Sequence, residues 1–205
     1  MPSSLVDRLK RKLRFGRPIV VVSGLPRSGT SMAMMMLKAG GMPLLTDAVR
    51  LADESNPNGY FEFEPVKQLD SAGDLAWLDE AGGRAVKIIS FLLTWLPESH
   101  DYRVLFMQRD LDEVIASQHR MLVRRGEPAG AGADAMRTIY ARHLEQVERL
   151  LSNRRCFTRL AIGYRDVIER PDLEARRISD FLGARLDIER MAAVADRQLY
   201  RNRRE

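Results

Sequence analysis

An apolar run that leads through a glycine-containing loop into a helical pattern limits the folds that this chain can adopt. Residues 19 to 23 begin with four β-branched residues, Ile19 to Val22, a pattern typical of a buried strand, and Gly24 and Gly29 then keep the five-residue separation of phosphate-cradling loops. Glycines allow backbone N–H groups to wrap an anion, and the helix expected at residues 30 to 39 adds the partial positive charge of its N-terminus. The segment predicts an anion site. The alternative is a strand–helix turn that merely needs positive φ.

The residue after the second glycine limits the kinds of anionic ligand that the loop is expected to bind. Nucleotide kinases and hydrolases place a lysine there, but this chain has Thr30, and its cation lies inside the loop as Arg27. Because the missing lysine is the one that holds the β- and γ-phosphates of ATP, the loop disfavours a magnesium–ATP enzyme. We therefore expect a different anionic ligand.

Strand-like and helix-like segments alternate along the rest of the chain, and this alternation predicts the fold class. Strands are predicted at residues 85–89, 102–107 and 157–163, and helices at residues 111–124, 134–151 and 173–182. Alternation of this kind predicts an α/β protein, a three-layer P-loop fold with a central parallel sheet flanked by helices. We expect one domain over residues 1–205, with a basic amphipathic helix at residues 1–16 and a basic tail at residues 197–205.

The charge and the cysteine content indicate which ligands and which cellular compartment to expect. Lys and Arg total 33 against 28 Asp and Glu, a net charge of +5 that favours anionic ligands. The single cysteine, Cys156, excludes an intramolecular disulfide and favours a reducing compartment, so cytoplasm is expected. No run approaches the roughly 18 apolar residues of a membrane span, and no transmembrane segment is expected.

Two separate segments resemble the sulfotransferase superfamily. That family's phosphosulfate loop reads Pro-Lys/Arg-Ser-Gly-Thr-Ser/Thr, and the loop here reads Pro26-Arg27-Ser28-Gly29-Thr30-Ser31. The family's 3′-phosphate segment has an arginine just past a strand and a serine eight residues later, matched by Arg109 and Ser117. The resemblance implies 3′-phosphoadenosine 5′-phosphosulfate as sulfuryl donor, adenosine 3′,5′-bisphosphate as product, and no metal. Pairing of Arg109 with Asp112 or Glu113 is the alternative.

Two more parts of the donor site are implied by looser matches. The segment beginning at Tyr164 is similar to one whose tyrosine lines the family's adenine pocket, although a core tyrosine is the alternative. Arg201 and Arg203 stand where the family closes the 3′-phosphate site with Arg-Lys-Gly, and a solvated basic tail is the alternative. Met32 replaces the family's adenine-stacking aromatic residue.

The resemblance also implies catalytic roles. Arg27 is expected to contact the leaving phosphate oxygen, and Lys87 is expected to contact the sulfuryl oxygens. A surface lysine is the alternative for Lys87. Ile89 stands where the family has its histidine base, and the spacing of His100, His119 and His143 suggests neither a metal site nor a triad.

A carboxylate is therefore the candidate base. The segment Asn58-Gly-Tyr-Phe-Glu62 resembles one found in many bacterial sulfotransferases, which makes Glu62 the first candidate, with Glu54 and Glu64 behind it. Pairing of Glu62 with a basic neighbour is the alternative. Five aromatic residues suggest an apolar wall for the acceptor: Tyr60, Phe61, Phe63, Phe91 and Trp95.

Three functions follow in order of support. The first is a sulfotransferase that moves a sulfuryl group from the phosphosulfate donor to the hydroxyl or amine of a small-molecule acceptor, with no nucleic-acid partner. The others are a P-loop nucleotide kinase or hydrolase, and a non-enzymatic basic protein that binds nucleotide or nucleic acid. The acceptor and the oligomeric state are left open.

Overall fold

The centre of the fold is a parallel β-sheet whose strands lie in the order β2-β3-β1-β4-β5. The computed structural model describes residues 11, 15–47, 61–71, 73–124, 126–127 and 132–195. Within these ranges all strand pairs are parallel, and the five strands are β1 (Ile19–Gly24), β2 (Leu44–Leu45), β3 (Ala85–Lys87), β4 (Tyr102–Gln108) and β5 (Phe157–Gly163). Parallel pairing places the carboxyl ends of these strands at one edge of the sheet.

Helices cover both faces of this sheet. They are α1 (Thr30–Ala39), α2 (Trp77–Glu80), α3 (Leu111–Arg124), α4 (Ala133–Asn153), α5 (Tyr164–Glu169), α6 (Pro171–Leu182) and α7 (Ile188–Ala193), with 3₁₀ helices at Glu64–Gln68 and Ser90–Trp95. The predicted α/β class with a helix-flanked parallel sheet is therefore confirmed.

The two hydrophobic cores follow from the two-residue period of the central strand. Val20 and Val22 of β1 face one core, which α1, α6 and α7 complete, and Ile19 and Val21 face the other, which α4 helps to close. All of β1 is buried, as the unbroken apolar run predicted.

The predicted strand at residues 85–89 is wrong in its length. The N–H of Ile88 still donates to the carbonyl of Val22 at 3.0 Å, but β3 ends at Lys87 and a 3₁₀ helix begins at Ser90. Apolar residues continue past the strand because Ile88 and Leu93 are buried in the same core. Periodicity alone does not separate a buried strand from the buried turn that follows it.

The predicted N-terminal helix lies mostly outside the described residues, but one of its basic side chains is visible. Arg11 is helical, and its Nε donates to Asp101 Oδ1 at 3.0 Å while Nη2 donates to the Cys156 carbonyl at 3.0 Å. The side chain of Asp101 is only 4% exposed. Arg11 therefore neutralises a buried carboxylate at the amino edge of the sheet.

The terminal segments leave two further expectations open. Residues 1–10 and 196–205 lie outside the description, so the single-domain organisation and the basic tail stay predictions. Among the described residues, no helix is both long and apolar enough to cross a bilayer.

We predict that Arg11→Ala lowers the free energy of unfolding by about 2 to 3 kcal/mol, because it leaves Asp101 buried without its cation. Urea denaturation measures this loss. Arg190→Ala is the matched control, since Arg190 pairs with Asp187 at 3.2 Å on the exposed surface. The control should cost less than about 1 kcal/mol. Equal losses in the two variants would contradict the anchoring role of Arg11.

Candidate functional site

The candidate site lies at the carboxyl edge of the sheet, where three strands end side by side. In the register of the sheet Gly24 of β1 lies beside Met107 of β4, and Gln108 of β4 lies beside Gly163 of β5. Arg109 and Tyr164 are the next residues along β4 and β5. The guanidinium carbon of Arg109 lies 4.3 Å from the centre of the Tyr164 ring, a cation–π contact.

Close packing holds the backbone of the loop between β1 and α1. Gly24 has φ 151° and Gly29 has φ 104°, and Arg27 between them also has a positive φ, of 70°. A Cβ atom on Gly24 would lie 2.7 Å from the Met107 carbonyl oxygen, and one on Gly29 would lie 3.0 Å from Cε2 of Tyr164. Both glycines are therefore required by close approach as well as by φ.

Ser28 presents a buried hydroxyl group to this loop. The residue is 1% exposed, and within the described ranges its Oγ has no hydrogen-bond partner. An unsatisfied buried hydroxyl costs about 1 to 3 kcal/mol, and an oxygen of a bound anion would satisfy it. The hydroxyl and the N-terminus of α1 therefore fit an anionic ligand such as a phosphate or phosphosulfate group.

Two arginines distant in sequence meet beside the loop. Arg27 Nε donates to Ser117 Oγ of α3 at 3.1 Å, and Arg109 Nη1 donates to the backbone carbonyl of Arg27 at 3.3 Å. Ser117 is buried. The structure thus brings together the candidate residues of both motifs, Arg27 from the loop and Arg109 and Ser117 from the segment after β4.

A carboxylate lies within the same cluster. Arg109 Nε donates to Glu113 Oε2 at 2.9 Å, and the two side chains are only 7% and 8% exposed. The alternative foreseen for Arg109 is therefore present, with Glu113 as the partner, while Asp112 pairs with Arg137. Because Arg27 and Arg109 carry two positive charges against the one negative charge of Glu113, these three side chains still favour an anion.

A cavity of about 280 Å³ borders the cluster. Ser28 and Arg109 lie on its wall, and apolar side chains of α4 complete it: Leu144, Val147 and Leu151. The loop therefore faces concave space, as a binding site requires.

Lys87 and Glu62 lie on other elements. Lys87 ends β3 beside Val22, two residues before Gly24 on the neighbouring strand. Glu62 is 24% exposed, and its Oε2 lies 3.6 Å from Nζ of Lys67. The basic neighbour that was the alternative for Glu62 is therefore present.

The aromatic wall predicted for the acceptor does not form as expected. Phe61 packs against the core that contains Met32, whereas Phe63 packs against the opposite core, edge to face with Trp77 at 5.3 Å. The two rings therefore do not form one continuous wall. Phe91 and Trp95 remain exposed.

Several predicted residues lie outside the description. These are Glu54, Asn58, Tyr60, Arg201 and Arg203. Within the described ranges, no group of three or more His, Cys, Asp or Glu side chains is arranged to hold a metal ion.

Sequence reasoning missed one polar contact near this edge. Ser90 Oγ lies 2.8 Å from Nε2 of His143, and the His143 ring stacks on Phe91 with centroids 3.8 Å apart. Burial lowers the pKa of His143 below its ordinary value. No local spacing signals this contact, because Ser90 and His143 are 53 residues apart.

Comparison with known proteins identifies the fold. No family model and no curated protein matches the chain. A sulfotransferase from Mycobacterium tuberculosis, STF1, matches with a TM-score of 0.58 at 16% identity over 94% of this chain and 74% of its own. This chain has the sulfotransferase fold. The resemblance drawn from the two motifs is confirmed at that level.

Two further structures of this fold are similar. Mouse sulfotransferase SULT7A1, solved in complex with PAP, matches with a TM-score of 0.52 at 17% identity over 87% of this chain and 62% of its own. The sulfotransferase domain of the Synechococcus PCC 7002 olefin synthase matches with a TM-score of 0.51 at 18% identity over 85% and 76%. At these identities the likeness shows the fold, so the activity must be argued from the site.

We predict that Gly29→Ala destabilises the protein by about 1 to 3 kcal/mol more than Gly41→Ala does. The reason is that the methyl group of an alanine at position 29 overlaps the Tyr164 ring. Gly41 is the matched control, since it has a similar φ of 88° but open space around its Cβ position. Each variant should lose about 1 to 2 kcal/mol from positive φ alone. Urea denaturation of both compares the losses, and equal values would show that Tyr164 does not press against the loop.

Proposed function

We propose that this protein is a sulfotransferase that moves a sulfuryl group from 3′-phosphoadenosine 5′-phosphosulfate to a hydroxyl or amine of a small-molecule acceptor. The observation that carries the proposal is the convergence of Arg27, Arg109 and Ser117 at the N-terminus of α1. A ligand with phosphate groups at two positions suits this arrangement, because the two arginines come from different strand ends. The sulfotransferase fold supports the same conclusion.

The donor groups are assigned to two halves of the site. The backbone of the loop from Gly24 to Ser31, which includes Pro26 and Thr30, and the Ser28 hydroxyl hold the 5′-phosphosulfate. Arg109 and Ser117 hold the 3′-phosphate, where the guanidinium offers a planar fork of donors. Tyr164 lines the adenine pocket, and Arg201 and Arg203 close the 3′-phosphate site.

Catalysis on this proposal is mainly electrostatic. The donor supplies an activated sulfuryl group, and the protein stabilises the negative charge that develops on the phosphate as the sulfur–oxygen bond breaks. Arg27 lies in the loop that holds this phosphate, and Lys87 lies at the neighbouring strand end, beside Val22. Glu62 is a candidate to remove the acceptor proton.

We predict that adenosine 3′,5′-bisphosphate binds much more tightly than ADP, because only the former offers a 3′-phosphate to Arg109 and Ser117. Isothermal titration calorimetry in the presence of EDTA measures both affinities, and chelation should leave them unchanged. Arg109→Ala should weaken binding of the bisphosphate at least tenfold, since a charged hydrogen bond contributes about 1.5 to 3 kcal/mol.

Arg165→Ala is the matched control for this experiment. Arg165 lies next to Tyr164 in sequence, but its side chain is 69% exposed and pairs with Glu169 on the surface. Its replacement should leave the affinity unchanged. Equal affinities for the bisphosphate and ADP, or a strict magnesium requirement, would contradict the proposed donor and favour the nucleotide kinase alternative.

We predict that Glu113→Gln tightens binding of the bisphosphate roughly three- to tenfold at low salt, because a negative charge beside the phosphate is removed. The glutamine oxygen still accepts from Arg109 Nε and keeps the guanidinium in place. Calorimetry at two salt concentrations measures the change, which should shrink as salt rises. Weaker binding would show that the charge of Glu113 is needed to position Arg109.

A further inference from the structure

The cavity beside the loop extends beyond the residues to which the proposed donor site gives a role. Ser28 and Arg109 form one end of it, and the rest lies between α4 and the strands β4 and β5. Leu144 and Leu151 on its wall are seven residues apart on α4, which corresponds to about 10 Å along a helix. A volume of about 280 Å³ spread over that length describes a narrow, elongated space.

Apolar side chains form the walls of this space. Leu25 comes from the loop, Phe106 and Met107 come from β4, and Val147 comes from α4, and all four are buried. Walls of this kind offer water few hydrogen-bond partners, and an apolar cavity of about 150 Å³ is large enough to hold benzene. The larger volume here therefore suits an apolar group that is longer than a single ring.

An ion pair lies at the far end of the cavity. Arg159 of β5 donates from both terminal nitrogens to the two carboxylate oxygens of Glu148 on α4. Arg159 stands four residues before Gly163, the end of β5, so its backbone is about 13 Å from the carboxyl edge along the strand. The two side chains are 33% and 53% exposed, which places the pair where the cavity meets solvent.

This ion pair presents no net charge to a ligand. The hydrogen bonds from Arg159 lower the pKa of Glu148, so the carboxylate stays ionised and paired at neutral pH. Both terminal nitrogens of the guanidinium are already used by that carboxylate. The outer end of the cavity therefore selects neither an anion nor a cation.

The inner end of the cavity offers a hydrogen bond to an uncharged polar group. Ser28 is 1% exposed, and within the described ranges its Oγ has no hydrogen-bond partner. A hydroxyl group has one proton to donate and lone pairs to accept with, so Ser28 can donate to a donor phosphate and accept from a second hydroxyl group. An ammonium group would instead be repelled by Arg109 on the same wall.

We propose that this cavity binds an unbranched primary alcohol, with the alkyl chain along α4 and the hydroxyl group at Ser28. The narrow shape favours a single chain over a fused ring system, and the apolar walls favour methylene groups over the hydroxyl groups of a sugar. The site is separate from the positions assigned to the phosphates of the donor. It does not depend on the proposed sulfotransferase function.

The experiment titrates the full chain with butanol, hexanol and octanol and follows the methionine methyl groups by NMR. The Met107 methyl resonance should shift, because Met107 lines the cavity. Met191 of α7 is buried but does not line the cavity, so its resonance is the internal control. Affinity should rise about fourfold with each added methylene until the chain reaches the ion pair.

Two substitutions on α4 test where the chain lies. Leu144→Trp narrows the cavity, so the gain in affinity should stop at a shorter alcohol than in the wild type. Leu150→Trp is the matched control, because Leu150 packs against the core from the same helix but does not line the cavity. This control should keep the wild-type dependence on chain length.

A third substitution tests where the hydroxyl group lies. Ser28→Ala should weaken every alcohol by the same factor, about threefold to tenfold, because it removes one neutral hydrogen bond and leaves the alkyl contacts intact. The gain in affinity with each methylene should be unchanged. Unweakened binding to Ser28→Ala would overturn the proposed orientation.

The separation from the donor site is tested by adding adenosine 3′,5′-bisphosphate at saturation. The alcohol should stay bound, because its chain uses the α4 wall. Competition between the two ligands would overturn the separate site and make the cavity part of the donor site, while the sulfotransferase proposal would stand. A protein that prefers ADP to the bisphosphate but still binds octanol would overturn the proposed function alone.

An acceptor and a regulatory ligand would present the same alkyl chain, so a last arm supplies the phosphosulfate donor. Formation of octyl sulfate would identify the alcohol as an acceptor. In that step the alcohol oxygen replaces the bridging phosphate oxygen on sulfur, the phosphate keeps the electron pair, and the hydroxyl proton is released to solvent. Binding without product would identify a regulatory ligand, and both results support the site. A Met107 resonance that no alcohol shifts, or equal shifts at Met107 and Met191, would overturn it.

Discussion

The packing of the Tyr164 ring against Gly29 and Arg109 is the contact on which the candidate site depends. The ring fills the space that a Cβ on Gly29 would need, and the guanidinium of Arg109 lies 4.3 Å from its centre. Tyr164 itself is buried at the end of β5. One side chain thus fixes the loop after β1 relative to the ends of β4 and β5, and the sheet register determines where that side chain stands.

Much of the fold could be predicted because its main elements have strong local signals. The helix Thr30–Ala39 and the helix Leu111–Arg124 have the predicted bounds, and the strand Phe157–Gly163 does too. The strand at residues 85–89 was predicted too long, because buried apolar residues continue into a 3₁₀ helix. The two-residue strand Leu44–Leu45 gave no usable pattern, since its pairing with β3 is a tertiary contact.

The candidate site, like the fold, has parts that local motifs predict and parts that depend on contacts between distant residues. The loop residues and the segment that contains Arg109 and Ser117 could be found because each motif is continuous in sequence. Their convergence depends on the strand order, which places β4 directly beside β1. The contact of Ser90 with His143 could not be found, because neither residue belongs to a motif and the packing of α4 on the 3₁₀ helix brings them together.

Positive charge is concentrated on one side of the carboxyl edge of the sheet, and the burial of these side chains determines how they affect one another. Arg27 and Arg109 repel each other when no anion lies between them, and Glu113 reduces this repulsion at a place too buried for water to do so. On the proposed function, the affinity for the donor is then the attraction of its phosphates to Arg109 less their repulsion by Glu113. On the other flank, partial burial lowers the pKa of His143, because a positive charge on its ring is less well solvated there. The edge therefore combines a cationic side, at Arg27 and Arg109, with a side on which partial burial disfavours a positive charge.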